Sequence, residues 1–277
     1  MIGTQRSTAH FMAYALLSAA AFSVLFPLAL MLVNSVRTNF EILSSPLGLP
    51  EAPNFAIYSQ VWSEARLGRA LLNSCLVAAG TVVIVCAVAT PAAWVIARRR
   101  VSGWLVISLY FLATTTVPVQ MFIFPLYFLF AKLGLINNHF ALMFVYAAIY
   151  TPFSLFLLRT YIVSIPIELE EAARIDGAGM FQIFARVIFP LTSPGLLTVA
   201  LIVSLNTWNE FLIAITFLQT DEAATATARF YQLSGRYGND WPQMMAIATL
   251  IAAPTIVFFV LLQHRFIDGI SAGAVKS

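Results

Sequence analysis

Residues 170–179 read EEAARIDGAG, and four of these ten positions carry a charge in a chain where only 10% of residues do. Long apolar stretches lie on both sides of this segment. Hydrophobic residues make up 60% of the chain, whereas soluble domains contain about 45–50% apolar and about 25% charged residues. The composition therefore predicts a membrane protein, and the concentration of charge predicts that this segment lies outside the bilayer.

Six largely uncharged stretches are long enough to cross a bilayer, since about 20 helical residues span about 30 Å of hydrocarbon. They predict an all-α membrane protein with six transmembrane helices in a single transmembrane domain over residues 1–277. The predicted spans are about 11–36, 70–97, 104–131, 139–160, 190–217 and 241–263. A cleaved signal peptide is the alternative interpretation of the first stretch, but that stretch exceeds the roughly 7–15 apolar residues typical of such peptides.

The run RRR at 98–100 determines the predicted orientation, because Lys and Arg close to a span are retained on the cytoplasmic side. With six spans both termini are then cytoplasmic, and nine Lys and Arg lie inside against six outside. The segments 37–69 and 218–240 become the large extracytoplasmic loops. The loop 161–189, which contains EEAARIDGAG, faces the cytoplasm between the fourth and fifth spans.

The sequence SIPIELEEAARIDGAG at 164–179 predicts a short cytoplasmic helix of about three turns within this loop. Pro166 is tolerated in a first helical turn, and Gly177 is placed to cap the C-terminus just after Asp176. Glu170 and Arg174 are four residues apart, in the order that favours an ion pair on a helix surface.

One face of this predicted helix carries Leu169, Ala172, Ala173 and Asp176. Small residues allow a partner surface to approach closely and the flanking charges orient it, so we expect the helix to dock against another protein. An amphipathic helix resting on lipid is the alternative, but three glutamates and a single arginine in this segment suit an anionic leaflet poorly.

The run EEAARIDGAGMFQIFARVIFPL resembles the EAA motif of permease subunits of ATP-binding-cassette importers. The motif residues of this chain are Glu171, Ala172, Ala173, Gly177, Val187, Phe189 and Pro190. Val and Phe replace the Ile and Leu of the family pattern I-x-L-P, and the rest of the frame matches. TWNEFLIAITFL at 207–218, RYGNDWPQMMA at 236–246 and RFIDGISAGAVKS at 265–277 look like parts of the carbohydrate branch, in particular the maltose-type second permease.

The resemblance implies a permease subunit that forms half of a translocation pathway for a carbohydrate, an oligosaccharide or related polyol, in the bacterial cytoplasmic (inner) membrane. Its implied partners are a second permease in a heterodimer, two ATP-binding subunits, an extracytoplasmic solute-binding protein and membrane lipid. ATP and Mg are then used by the partner ATPase, against which the EAA helix docks. The coupling residues so implied are Glu171, Ala172, Ala173, Asp176, Gly177 and Pro190.

Motifs of enzymes and cofactor sites do not accompany this pattern. The chain lacks G-x-x-x-x-G-K-[ST], so ATP is predicted to be bound by a partner. It also lacks H-E-x-x-H, and its three histidines are scattered, so no metal site is expected. The string GISAG at 269–273 matches G-x-S-x-G in letters only, because no predicted strand precedes it, so a hydrolase is not expected either. We expect no cofactor on this chain and, from the small net charge of +3, no nucleic-acid partner.

The acidic residue Glu210 lies within the fifth predicted span, where burying a carboxylate costs at least a few kcal/mol. Such residues usually face a bundle interior or a watery cavity. With Asn206, Trp208 and Asn209 it offers hydrogen-bonding groups and an aromatic face, so these four residues are the candidate substrate pathway. The alternative is that Glu210 lies near the outer end of the span and has a structural role against the partner permease.

Two other classes of function stay open at this point. An ion-coupled secondary transporter of a small polar solute would require coupling carboxylates or broken helices repeated in two halves, whereas the chain has one internal acid and no evident repeat. A receptor or assembly scaffold would use the cytoplasmic helix as a docking peptide, but it would leave Glu210 without a role.

Overall fold

The computed structural model of the chain describes residues 2–274, with side chains described for 10–235 and 237–260. The regular elements of residues 2–274 are all helical, as the composition predicts. The α-helices are α1 Ile2–Asn34, α2 Asn39–Ser44, α3 Ala56–Glu64, α4 Leu67–Ala97, α5 Trp104–Thr116, α6 Ile123–Lys132, α7 His139–Val163, α8 Glu168–Ile175, α9 Met180–Ile183, α10 Phe189–Leu191, α11 Ser193–Asn209, α12 Leu212–Phe217, α13 Ala226–Tyr237 and α14 Trp241–Ala274. A 3-10 helix at Val119–Phe122 precedes α6, and a π-helical segment at Phe184–Ile188 joins α9 to α10.

Four helical stretches are long and apolar enough to cross a membrane: His10–Asn34, Leu67–Ala97, His139–Val163 and Trp241–Val260. Two further candidates are pairs of helices joined at a sharp bend. The bend is 86° between Trp104–Thr116 and Val119–Lys132, and 70° between Met180–Leu191 and Ser193–Asn209. The described part of the chain therefore contains four to six candidate spans, and the count of six with both termini cytoplasmic stays a prediction.

The third predicted span, 104–131, is not one straight helix. α5 ends at Thr116, and Val117 and Pro118 have extended backbones before the chain returns to helix. Proline has no N–H to donate, and it disfavours helical backbone at the residue before it. The bend therefore lies where the sequence places its proline.

The fifth predicted span, 190–217, is also interrupted. α11 ends at Asn209, the backbone of Glu210 is extended with ψ 125°, and α12 begins at Leu212. Glu210 thus lies at a break between two helices rather than within a continuous one.

The chain divides into two compact units. The first comprises residues 1–67 and 230–253, and the second comprises residues 68–229 and 254–277. In the second unit, α4, α7 and α11 share an apolar cluster that includes Ala89, Leu158 and Val199, all with no exposed surface. A Cβ on Gly195 would come within 2.8 Å of the Tyr161 ring, so α11 approaches α7 at a point where only glycine fits. The single transmembrane domain over 1–277 stays a prediction.

In the first unit, the turn after α1 is organised around a buried arginine. Arg37 donates from Nη1 to Asn34 Oδ1 at 2.9 Å and from Nη2 to the carbonyl of Glu41 at 2.7 Å. Asn39 then joins this turn to the segment before α14, since its Nδ2 donates to the carbonyl of Asn239 at 3.0 Å. Polar side chains therefore hold this turn together, alongside the buried apolar side chains of Val36 and Ile42.

Candidate functional site

The loop helix α8 has a defined start and a defined end. It is preceded by Pro166 and the N-cap residue Ile167, so it runs for eight residues, or about two turns, rather than the three predicted with Pro166 inside it. At the other end Gly177 has φ +83°, the left-handed region that glycine adopts at little cost. The N–H of Gly177 donates to the carbonyl of Arg174 at 3.1 Å, and that of Ala178 to Ala173 at 2.9 Å. This pair of bonds is a Schellman motif, so the predicted glycine cap is confirmed.

Most of the predicted coupling residues gather on the outer surface of this helix and its cap. Glu171, Ala172, Asp176 and Gly177 are exposed, whereas Ala173 is half-buried against an apolar cluster. Pro190 is also exposed, but it lies in α10, beyond the π-helical segment.

Exposed apolar side chains extend the same surface. Ile175 is 85% exposed and Phe181 is 79% exposed, and Leu169 and Met180 are each about half exposed. Apolar side chains next to charges, in a segment between candidate spans, are typical of a protein contact. Sequence reasoning missed three of these four residues, although large apolar residues in a charged loop were the available signal. We call Leu169, Glu171, Ala172, Ile175, Asp176 and Phe181 the α8 surface.

The first glutamate of the quoted run does not lie on the α8 surface. Glu170 is buried, and its carboxylate accepts hydrogen bonds from Trp94 Nε1 at 3.0 Å, Arg98 Nε at 2.7 Å and Arg100 Nη2. The predicted ion pair with Arg174 is therefore wrong, because the carboxylate points inward to basic side chains from the end of α4. The run RRR at 98–100, which predicts the orientation, also supplies two of the three partners of Glu170.

The carboxylate of Glu210 is engaged by groups of this chain. Oε2 accepts the hydroxyl proton of Tyr146 at 2.7 Å, and the N–H groups of Ile213 and Ala214 donate to the carboxylate at 3.0 to 3.1 Å. Thr227 also donates its hydroxyl to the Glu210 carbonyl at 3.0 Å. Glu210 therefore caps the start of α12, where the partial positive charge of the first N–H groups favours a carboxylate.

The other three candidate pathway residues do not converge with Glu210 on one point. The amides of Asn206 and Asn209 each donate at 2.8 Å to a backbone carbonyl one turn earlier, and both residues are exposed. Trp208 is half-buried and lines a cavity.

This cavity has a volume of about 240 Å³ and belongs to the second unit. It is lined by Cys75, Ala78, Ala79, Ser204, Leu205, Trp208, Pro254, Thr255 and Phe258. Small-molecule sites usually measure about 300–1,000 Å³ and carry several convergent polar groups. Here the Ser204 hydroxyl already binds the carbonyl of Ala200 at 2.5 Å, so the cavity is an apolar groove beside Trp208 rather than a formed sugar site.

Within residues 10–235 and 237–260, His, Cys, Asp and Glu form no group of three that could hold a metal ion. Cys75 and Cys86 are both free thiols.

Comparison with known proteins places these features in a family context. Residues 89–271 match the family described as binding-protein-dependent transport system inner membrane component. The chain is 32% identical over 266 residues to the diacetylchitobiose uptake system permease protein NgcG of Streptomyces coelicolor, which covers 95% of this chain and 88% of that protein. It is also 32% identical over 251 residues to the melibiose/raffinose/stachyose import permease protein MelC of Bacillus subtilis, covering 90% and 91%.

The fold is similar to that of a solved chain from a bacterial ABC transporter involved in the import of the acidic polysaccharide alginate. The TM-score is 0.79 and the identity 23%, with 92% of this chain and 95% of that chain covered. The family match includes α8, the α8 surface and residues 206–210.

Proposed function

The chain belongs to the family of inner membrane components of binding-protein-dependent transport systems, and from this premise we propose that it conducts a carbohydrate and couples to a partner ATPase through α8. It is a multi-pass subunit of the bacterial inner membrane and is not itself an enzyme. The observation that carries the coupling proposal is the α8 surface, where apolar and acidic side chains are exposed on the two-turn helix α8 and just after it, between candidate spans.

The proposed topology has six spans, with each bent pair of helices crossing as one span and both termini in the cytoplasm. It rests on the basic run at 98–100 and the apolar length of the helices. Single cysteines at Ser102 and Asn239, in a chain with Cys75 and Cys86 replaced by serine, should react with an impermeant thiol reagent from opposite sides. Labelling of Ser102 in intact spheroplasts would contradict the orientation and the docking proposal with it.

The proposed partners are a second permease in a heterodimer, two ATP-binding subunits, a solute-binding protein outside the membrane, and lipid around the spans. ATP and Mg are used by the ATP-binding subunits. Glu171, Ala172, Ala173, Asp176, Gly177 and Pro190 are proposed to form or support the ATPase contact. Since both relatives named above are described as permeases for oligosaccharides, the proposed substrate is an oligosaccharide or related polyol.

The proposed substrate pathway still consists of four residues, which have different roles: Asn206, Trp208, Asn209 and Glu210. The exposed edges of the two asparagines and the Trp208 ring offer polar groups and an aromatic face to a sugar. Glu210 supports them by fixing the break between α11 and α12 through its bonds to α12 and Tyr146.

The test of the proposed function is uptake of radiolabelled diacetylchitobiose, raffinose and melibiose by cells that carry the chain with its partner subunits. We expect uptake of at least one sugar that is lost when the chain or the binding protein is deleted, and an ATPase that co-purifies with the chain. Uptake that survives loss of the binding protein but is abolished by an ionophore would instead support an ion-coupled carrier.

A further inference from the structure

Glu170 is the most deeply buried charged side chain of the loop that carries the α8 surface. Its side chain is 1% exposed, and both carboxylate oxygens are engaged, Oε1 by Trp94 and Arg98 and Oε2 by Arg100. All three donors lie 70 to 76 residues earlier in the chain, at or just after the end of α4. The bonds therefore tie α8 to a helix that is not its neighbour in sequence.

The donors of this cluster are themselves held in place. Arg98 also donates from Nη2 to the carbonyl of Ile165 at 2.8 Å. Through Ile165 and Glu170 it therefore binds the chain both before and after Pro166. The guanidinium of Arg100 lies 4.3 Å from the centre of the Trp94 ring. That ring packs against Phe184 of the π-helical segment, with 5.5 Å between ring centres. We call Glu170, Trp94, Arg98 and Arg100 the Glu170 clamp.

A buried ion cluster of this kind is a poor source of stability. Desolvation of the charges offsets most of their attraction, and replacement by well-packed apolar residues is often neutral or stabilising. The effect of the clamp is to fix a position, because three donors that approach from separate directions determine both the place and the orientation of the carboxylate. A two-turn helix is too short to hold its own orientation, so its position depends on such contacts.

We propose that Glu170 is a positioning residue that clamps α8 to the end of α4, so that a displacement imposed on the α8 surface moves α4 directly as well as the helices on either side of the loop. The neighbouring Glu171 is exposed on α8 and is available to contact the partner. The two adjacent glutamates thus have separate roles. Glu171 faces the ATPase, and Glu170 binds the end of α4, which is a candidate span. This inference rests on the proposed function for its consequence in transport, but the clamp itself is measurable without it.

The clamp is tested by the distance between its two sides in the assembled transporter. Nitroxide labels are placed at Ser102, just after Arg100, and at Arg174 on α8, in a chain with Cys75 and Cys86 replaced by serine; both label sites are exposed. With the clamp intact, the distance distribution should keep the same mean in the nucleotide-free state and in the ATP-bound state with hydrolysis blocked. In Glu170→Gln the distribution should broaden and its mean should differ between the two states.

The transport consequence is the amount of sugar taken up per ATP hydrolysed. We expect Glu170→Gln to lower this ratio about fivefold, the low end of the effects typical of coupled sites, while the ATPase still associates. Glu168→Gln, which alters an exposed acid of the same helix, should leave both the ratio and the distances unchanged. A structural role alone would lower uptake and hydrolysis in proportion and keep the ratio, which would overturn the proposal.

A second variant keeps the test decisive if Glu170→Gln accumulates poorly. Arg100→Gln leaves Glu170 paired with Arg98, so it should broaden the distance distribution to a smaller extent. Distances in Arg100→Gln that match those of the unmodified clamp would overturn the proposal whatever Glu170→Gln does. If no ATPase associates even with the wild-type chain, the proposed function fails, while the distances measured on the permease alone still decide the clamp.

Discussion

The loop 161–189 and the segment 206–217 each interrupt the apolar helices with a glutamate, but the two carboxylates are held in different ways. Glu170 binds side chains that lie 70 to 76 residues earlier in the chain. Glu210 binds backbone N–H groups three and four residues later, together with the Tyr146 hydroxyl. The first arrangement joins distant elements, whereas the second mainly shapes its own break in the helix. A glutamate near a membrane is therefore not by itself a pathway residue, and its partners decide its role.

The largest effect is expected from a variant at the end of α8. This variant should change the loop 161–189 and leave the segment 206–217 unchanged. Gly177→Val places a β-branched residue at φ +83°, which costs of the order of 1–2 kcal/mol. The end of the helix should shift and the α8 surface with it, so ATPase association should fall at least about tenfold at unchanged membrane insertion. ATPase co-purification, normalised to the amount of the chain in the membrane, measures this.

The matched control for that variant is Gly179→Val. Gly179 has φ −72°, and a Cβ there would lie 3.9 Å from Gln182 Oε1, an ordinary contact, so valine avoids the backbone strain expected at position 177. Equal ATPase association in Gly177→Val and in Gly179→Val would mean that the glycine cap does not position the contact.

A smaller effect is expected from reversing one charge on the α8 surface. Glu171→Lys leaves the backbone intact and should weaken ATPase association about threefold, as expected for an exposed charge at a contact. Glu168→Lys, on the same helix, is the control for net charge. If both lysine variants weaken association equally, and high salt removes the difference from wild type, the effect is general electrostatics and not a contact of Glu171.

In the segment 206–217, Glu210→Gln should lower sugar uptake about threefold. Assembly with the partner subunits should be largely kept, because the oxygen of the new side-chain amide still accepts hydrogen bonds from α12. Tyr146→Phe removes one bond and keeps the carboxylate, so it is the matched comparison. Uptake and assembly should be measured for both. Loss of assembly before loss of uptake would assign Glu210 a structural role only.

The smallest effect concerns a third glutamate, Glu41, whose carboxylate is also held by backbone N–H groups. The N–H groups of Thr38 and Glu51 donate to the Glu41 carboxylate at 2.7 and 2.8 Å and lower the pKa of Glu41 below its usual 4.5. A lowered folded-state pKa means that the stabilisation is complete above pH 4.5 and is lost as the pH falls through the lowered value.

Amide hydrogen exchange tests this prediction directly. Protection of the Thr38 and Glu51 amides, corrected for the intrinsic rate, should decrease on acidification in the wild type. In Glu41→Gln the same protection should not depend on pH in that range. A wild-type protection that stays constant would show that the carboxylate does not hold this turn.

Features with a local cause were predictable from the sequence. The end of α8 follows from Gly177, and the bend between α5 and the next helix follows from Pro118, because both effects act within one or two residues. The exposed face of α8 was only half predicted, since a two-turn helix does not reveal which side is covered. The burial of Glu170 was missed because its partners lie on a distant element, and the break at Glu210 was missed because a polar residue in an apolar run looks the same inside a helix or at its end.

The central claim is that the α8 surface meets an ATPase, and site-specific photocrosslinking tests it most directly. A photoreactive phenylalanine derivative at Ile175, which is 85% exposed on α8, should crosslink to the ATP-binding subunit in the assembled transporter. The same derivative at Phe40, which is 80% exposed in a predicted extracytoplasmic loop, should not. The account predicts an ATPase crosslink at Ile175 alone; crosslinks from Ile175 only to lipid, or an ATPase crosslink from Phe40, would contradict it.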